Sequence, residues 1–165
     1  MLEVDRILRA LSDHEVRYVL VGGLALVVHG SARVTQDIDL CYARDGANLD
    51  RLSQALAPLH PRLRGAPEGP PFHLDPPTLK AGLNFTLITD SGDVDLLGEV
   101  SGIGGFDQAV RNAVERDLYG HRVKIMSLDD LERAKRAAGR RKDLLALDEI
   151  EELRRRIASD DPKDR

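Results

Sequence analysis

The chain has 165 residues, 42% hydrophobic and 32% charged, the balance of a globular protein with room for one core. A net charge of −4 argues against a surface broadly suited to nucleic acid, and 4% aromatics with no Trp argue against base-stacking platforms. A lone cysteine, Cys41, excludes an internal disulfide or a thiolate zinc cluster within one chain. Met1-Leu2-Glu3-Val4-Asp5-Arg6 lacks the basic start and apolar run of a signal peptide, and no apolar run is long enough for a bilayer. Cytoplasm, with no membrane partner, is the expectation.

Val4, Ile7, Leu8 and Leu11 recur at helical spacing and predict a short amphipathic helix to about Asp13. Tyr18 to Val21 is a continuous apolar run, the pattern of a strand covered on both faces. Gly22-Gly23 breaks it, and Leu24 to His29 predicts a compact helix ended by Gly30. Asp37-Ile38-Asp39-Leu40-Cys41-Tyr42 then alternates acids with apolar residues at the period of a strand. Leu49, Leu52, Leu56 and Leu59 mark another helix, stopped by Pro58 and Pro61. Six prolines and two glycines from His60 to Pro77 predict a long loop, of the size used for lids or substrate contacts. Leu83–Thr89 and Val94–Leu97 predict a hairpin through Asp90-Ser91-Gly92-Asp93, and Ile103-Gly104-Gly105 a flexible join. Arg122–Met126 predicts a strand. Ser127 caps a helix that turns Leu131, Ala134 and Ala138 inward before Gly139. A last helix places Leu144, Leu147, Ile150, Leu153 and Ile157 on one side, and Ser159–Arg165 predicts a fraying tail.

Three features carry chemistry. A strand ending in Gly22-Gly23 before a helix exposes backbone N–H groups that attract phosphate, although a tight turn explains the same glycines. Asp37 and Asp39 share one strand face with Cα atoms roughly 6.5–7 Å apart. Two carboxylates so placed raise each other's pKa unless a cation such as Mg²⁺ neutralises them; the alternative is a pair of solvated acids on an edge strand. Asp95 lies between Val94 and Leu96, where an acid is costly unless compensated, and beside the Asp37–Asp39 strand it completes a triad able to hold metal. Asp93 points to the same side but follows Gly92 and is assigned to the turn. The basic run Arg133, Lys135, Arg136, Arg140, Arg141 and Lys142 is either a solvated helix face or a set of partners for triphosphate. The five histidines show no metal-ligand spacing, and Ser31 lacks a hydrolase context.

Val21-Gly22-Gly23, then 13 residues, then Asp37-Ile38-Asp39-Leu40, with a later strand acid, resembles the signature of the DNA polymerase beta-type nucleotidyltransferase superfamily. Within it the chain is similar to the small AbiEii-like group, which includes toxins of toxin–antitoxin pairs. Arg33-Val34-Thr35-Gln36-Asp37-Ile38-Asp39 matches its Arg-x-Thr-x-Asp-x-Asp pattern, and Lys135 to Asp143 its later basic stretch ending in Lys-Asp. The resemblance implies that Gly22 and Gly23 bind triphosphate, and that Asp37, Asp39 and Asp95 are catalytic and bind metal, Asp95 also serving as base. It further implies that Arg33 and Thr35 steady the loop or contact phosphate, and that Lys135 and Lys142 face the nucleotide.

The expected fold is therefore α/β, a short mixed sheet flanked by helices with the site at one sheet edge. Residues 1–158 are expected to form one nucleotidyltransferase domain and 159–165 a flexible tail. The expected reaction moves a nucleotidyl group from a nucleoside triphosphate to an acceptor hydroxyl of tRNA, protein or a small molecule, with Mg²⁺ or Mn²⁺ as cofactor. A cognate antitoxin is an expected partner in the toxin role. Larger members of the superfamily carry an extra helical domain, so a homodimer that completes the acceptor site is one alternative. A non-catalytic module that binds nucleotide or a partner, as a regulator or antitoxin, is another.

Overall fold

The computed structural model describes residues 1–66 and 72–160. Helix α1 (Val4–Asp13) buries Ile7, Leu8 and Leu11, the stripe its spacing predicts. Strand β1 (Tyr18–Val21) runs straight into helix α2 (Gly22–Val28), so the two glycines are the first helical residues rather than a loop before it. Strand β2 (Asp37–Tyr42) lies antiparallel to β1, with Val21 opposite Asp39. Helix α3 (Gly46–Leu56) starts at Asp45, whose side chain accepts from the Asn48 N–H, and ends in a 3₁₀ turn over Ala57–Leu59.

Strands β4 (Asn84–Thr89) and β5 (Gly92–Leu97) form the expected hairpin, but its turn is tighter than predicted. Thr89 pairs with Gly92, so Asp93 is a strand residue paired with Ile88 and Asp37. The stretch expected to be loop holds regular structure at both ends. Strand β3 (Arg62–Leu63) pairs with β4, and helix α4 (Pro76–Ala81) begins on two prolines behind an Asp75 cap. Residues 67–71 of that stretch lie outside the described residues. Helix α5 (Phe106–Arg111) and strand β6 (Val114–Leu118) carry no predicted pattern, β6 because its middle is Glu-Arg-Asp on an exposed edge. Strand β7 (His121–Ile125), helix α6 (Leu128–Ala138) and helix α7 (Arg141–Ser159) complete the chain. The inward side of α7 is Asp143, Ala146, Ile150 and Leu153; of the predicted face Ile150 and Leu153 are buried, whereas Leu144 and Ile157 are exposed. Of the expected tail, residues 161–165 lie outside the described residues.

The sheet is mixed and seven-stranded, in the order β3-β4-β5-β2-β1-β7-β6. It is antiparallel except where β2 joins β5 and β1 joins β7. Both faces of its centre are covered, since Ile38 and Leu40 on one face and Cys41 on the other are fully buried. At β4 one face is open: Asn84, Thr86 and Ile88 are exposed while Phe85, Leu87 and Thr89 are buried. No helix among the described residues is long and apolar enough to cross a membrane.

Candidate active site

Parallel pairing of β2 with β5 sets Asp39 opposite Asp95 and Asp37 opposite Asp93. Paired residues on neighbouring strands share a face, so all four acids project to one side. Asp37, Asp39 and Asp95 can each offer one carboxylate oxygen with the three atoms within 4.8 Å of one another. They stand on two central strands, not at a lateral edge of the sheet. Burial, then the Asp37 charge, then the Asp95 charge push Asp39 up to about 7, against the pull of Lys135 and Lys142. Burial likewise raises Asp95, opposed by the Arg64 guanidinium. Hard oxygen donors in close array, one of them an acid that burial and like charges make reluctant to ionise, could hold a divalent cation.

Gly22 has φ +68°, and a Cβ there would overlap the Asp39 carboxylate. Glycine is thus required twice over, by its backbone angle and by the approach of the acid. A Cβ on Gly23 would stand 3.2 Å from Thr35 Oγ1. Thr35 Oγ1 in turn lies 3.0 Å from the Asp37 carbonyl oxygen and 3.1 Å from Asp37 Oδ1, so its hydroxyl buttresses the first acid. Arg33 steadies the same loop from the other end. Its Nη2 and Nε donate to Glu149 Oε2 of α7 at 2.6 and 3.2 Å, and Glu149 also accepts from the Ser31 hydroxyl.

The opposite wall comes from the α6–α7 junction. Asp143 is fully buried and accepts from Arg140 Nε at 2.6 Å and Lys135 Nζ at 3.3 Å. Burial works to raise its pKa, but those bonds outweigh it and hold the carboxyl below the usual range. The basic run therefore divides. Lys135, Arg140 and Lys142 line the cleft, while Arg133 pairs with buried Asp130 and Arg136 with Glu132.

These parts enclose one cleft of about 640 Å³. It gathers Gly22, Gly23, Arg33, Thr35, Asp37, Asp39, Asp95, Lys135 and Lys142, the residues to which the resemblance gives a role. Asn84, Glu99, Val100 and Ser101 also line it and carried no motif. Arg64 and Glu149 carried no signal as partners of the site, whereas the Asp143–Arg140 pair follows from their helical spacing. Asp143 stood in the Lys-Asp pattern, whereas Arg64 lies in a proline- and glycine-rich stretch with no periodic signal.

The family model described as nucleotidyl transferase AbiEii toxin, type IV TA system, matches residues 6–80. No curated protein is similar enough in sequence to match. Among solved structures, the candidate nucleotidyltransferase TM1012 of Thermotoga maritima is 16% identical with a TM-score of 0.57, covering 96% of both chains. The antibiotic-resistance factor ANT(2'')-Ia in solution is 15% identical with a TM-score of 0.57, over 94% of this chain and 89% of its own. Its crystal structure with adenylyl-2''-tobramycin is 16% identical with a TM-score of 0.55, over 94% of this chain and 95% of its own. The chain has the fold of these nucleotidyltransferases, and its residues 6–80 carry the sequence pattern of the AbiEii family model.

Proposed function

We propose that this cleft transfers a nucleotidyl group from a nucleoside triphosphate to an acceptor hydroxyl, with Asp37, Asp39 and Asp95 holding divalent metal and residues 1–158 acting as one domain. The observation that carries the reading is the convergence of three carboxylate oxygens within 4.8 Å, between the glycine start of α2 and a wall of lysine and arginine. A bound Mg²⁺ or Mn²⁺ would neutralise phosphate charge and favour the ionised acceptor oxygen. Gly22 and Gly23 let phosphate approach the backbone, while Lys135 and Lys142 face its negative charge. Asp95 takes the acceptor proton as the new oxygen–phosphorus bond forms at the α-phosphorus and pyrophosphate leaves toward the basic wall.

The acceptor is a hydroxyl of tRNA, protein or a small molecule. The toxin description of the matching family supports a cognate antitoxin as partner. A reducing, cytoplasmic setting agrees with Cys41, which is buried and free.

The test is pyrophosphate release and acceptor labelling by the purified chain with Mg²⁺ and each labelled triphosphate. Asp39→Asn is expected to lower the rate at least about 10³-fold. Labelling that survives in the Asp37→Asn/Asp39→Asn double variant overturns the mechanism. Triphosphate binding indifferent to Mg²⁺, with no pyrophosphate, supports a non-catalytic binding module instead.

A further inference from the structure

We propose that Arg64 is a positioning residue for Asp95, committing one carboxylate oxygen so that the other faces Asp37 and Asp39; this rests on the nucleotidyl-transfer reading above. Arg64 directly follows the short edge strand β3, which β4 and β5 separate from β2. Its backbone N–H donates to the Thr86 carbonyl at 2.9 Å, and Thr86 is the register partner of Asp95. The side chain thus reaches over β4 along the row that leads to Asp95 and Asp39. Nη2 donates to Asp95 Oδ1 at 2.8 Å and to the Leu87 carbonyl at 3.2 Å. Nε lies 3.2 Å from Asp93 Oδ2, an ion pair whose alignment is not that of a hydrogen bond.

Four acids share this face, in the rows Asp37–Asp93 and Asp39–Asp95. Mutual repulsion alone would turn the β5 carboxylates outward, away from β2. Arg64 opposes that by taking one acid from each row. It gives Asp93 a partner on the far side, and Asp93 is absent from the group whose oxygens converge. It gives Asp95 a fixed rotamer, anchored on an arginine side chain that is one-third exposed and itself tied to the Leu87 carbonyl. A planar guanidinium can hold two acceptors and a third, ion-paired carboxylate in this fashion, whereas a lysine ammonium in its place supplies charge without the fork. Because the clamp is also a cation beside a metal-binding acid, it has two opposed effects. It disfavours metal by charge and favours turnover by orientation. A residue that only supported the fold would change both in the same direction.

The experiment uses the full chain with Arg64→Met, Arg64→Lys, Asp95→Asn and Arg64→Met combined with Asp95→Asn, each with its melting temperature. Mn²⁺ binding is followed by the electron paramagnetic resonance of the free ion, and pyrophosphate release gives kcat and KM. In Arg64→Met, Mn²⁺ affinity is expected to rise about three- to tenfold, an effect that shrinks below about twofold in the Asp95→Asn background. At the same time kcat falls at least about tenfold with KM for the nucleotide within about twofold, and Arg64→Lys lies between. Unchanged Mn²⁺ affinity overturns the proposal, as does tighter Mn²⁺ binding with unchanged kcat. Joint loss of Mn²⁺ affinity, KM and melting temperature reduces Arg64 to a prop of the fold and also overturns it. A wild type that binds Mn²⁺ but releases no pyrophosphate sinks the transfer reading, while the double-mutant cycle still decides whether Arg64 acts on Asp95. A wild type that binds no Mn²⁺ overturns both.

Discussion

On the sheet side of the cleft, Asp37, Asp39 and Asp95 owe their places to main-chain register between β2 and β5. On the helix side, Lys135 and Arg140 owe theirs to side-chain bonds with one buried carboxylate, Asp143. The acids are therefore set by backbone geometry that a one-residue slip would destroy, and the cations by contacts that single substitutions can loosen by degrees. Damage to the first wall should be close to all-or-none in activity. Damage to the second should be graded and shared between binding and stability.

The sharpest way to break the sheet side is Gly22→Ala. An alanine at φ +68° costs about 1–2 kcal/mol, and its methyl must displace the Asp39 carboxylate. Turnover is expected to fall about a hundredfold with a stability loss of about 2 kcal/mol, read from pyrophosphate release and urea unfolding. Lys135→Met tests the helix side. It removes one of two cations from buried Asp143, so KM for the triphosphate should rise about tenfold and stability drop by about 1–3 kcal/mol. Equal losses in kcat and KM from the two variants would erase the distinction between the walls.

Acidity sharpens the same contrast. The metal-free folded chain holds a proton on Asp39 up to about 7, while the unfolded chain releases it near 3.8. Between those values the folded state binds more protons, so stability falls as pH rises and levels off above about 7. Asp143 and Glu149 run the other way, their carboxyls held low by their cationic partners. Their contribution is complete above the ordinary carboxylate range. From pH 5 to 7.5 the apo melting temperature should therefore drop by several degrees, and Asp39→Asn should remove the slope. Millimolar Mg²⁺ should raise the curve most at the upper end, where the acids are ionised. A flat apo profile would count against the buried charge deficit. The smallest effect is expected for Arg136→Ala. Its partner Glu132 also pairs with Arg154, and a surface pair of this kind contributes no more than about 0.5 kcal/mol. Calorimetric melting and KM should both stay close to wild type.

The parts of the fold legible beforehand were those with strong local signals. The bounds of β1 and β2 and the stripe of α1 coincide with apolar runs and alternation that burial later fills. The acids of the site were legible for the same reason, since a carboxylate at strand period among Ile38 and Leu40 is conspicuous. Elements whose stability is tertiary left no such trace. β6 is a polar edge strand supported by β7, and β3 is two residues long in a proline-rich stretch. The face of α7 is legible only at Ile150 and Leu153, because its inward side begins with an acid, Asp143, while Leu144 and Ile157 point outward. Arg64 and Glu149 escaped notice because their meaning lies in partners 31 and 116 positions away.

The cleft is stitched from distant parts of the chain. Leu20 lies beside Ile125 in the sheet, and Glu149 reaches back to Ser31 and Arg33. During synthesis the carboxylates emerge first and the basic wall last. A nascent chain that has passed Asp95 carries every acid of the floor but lacks Lys135, Lys142 and the Glu149 tie. Ligand-ready geometry therefore arrives as a late event, governed by slow long-range pairing instead of local folding.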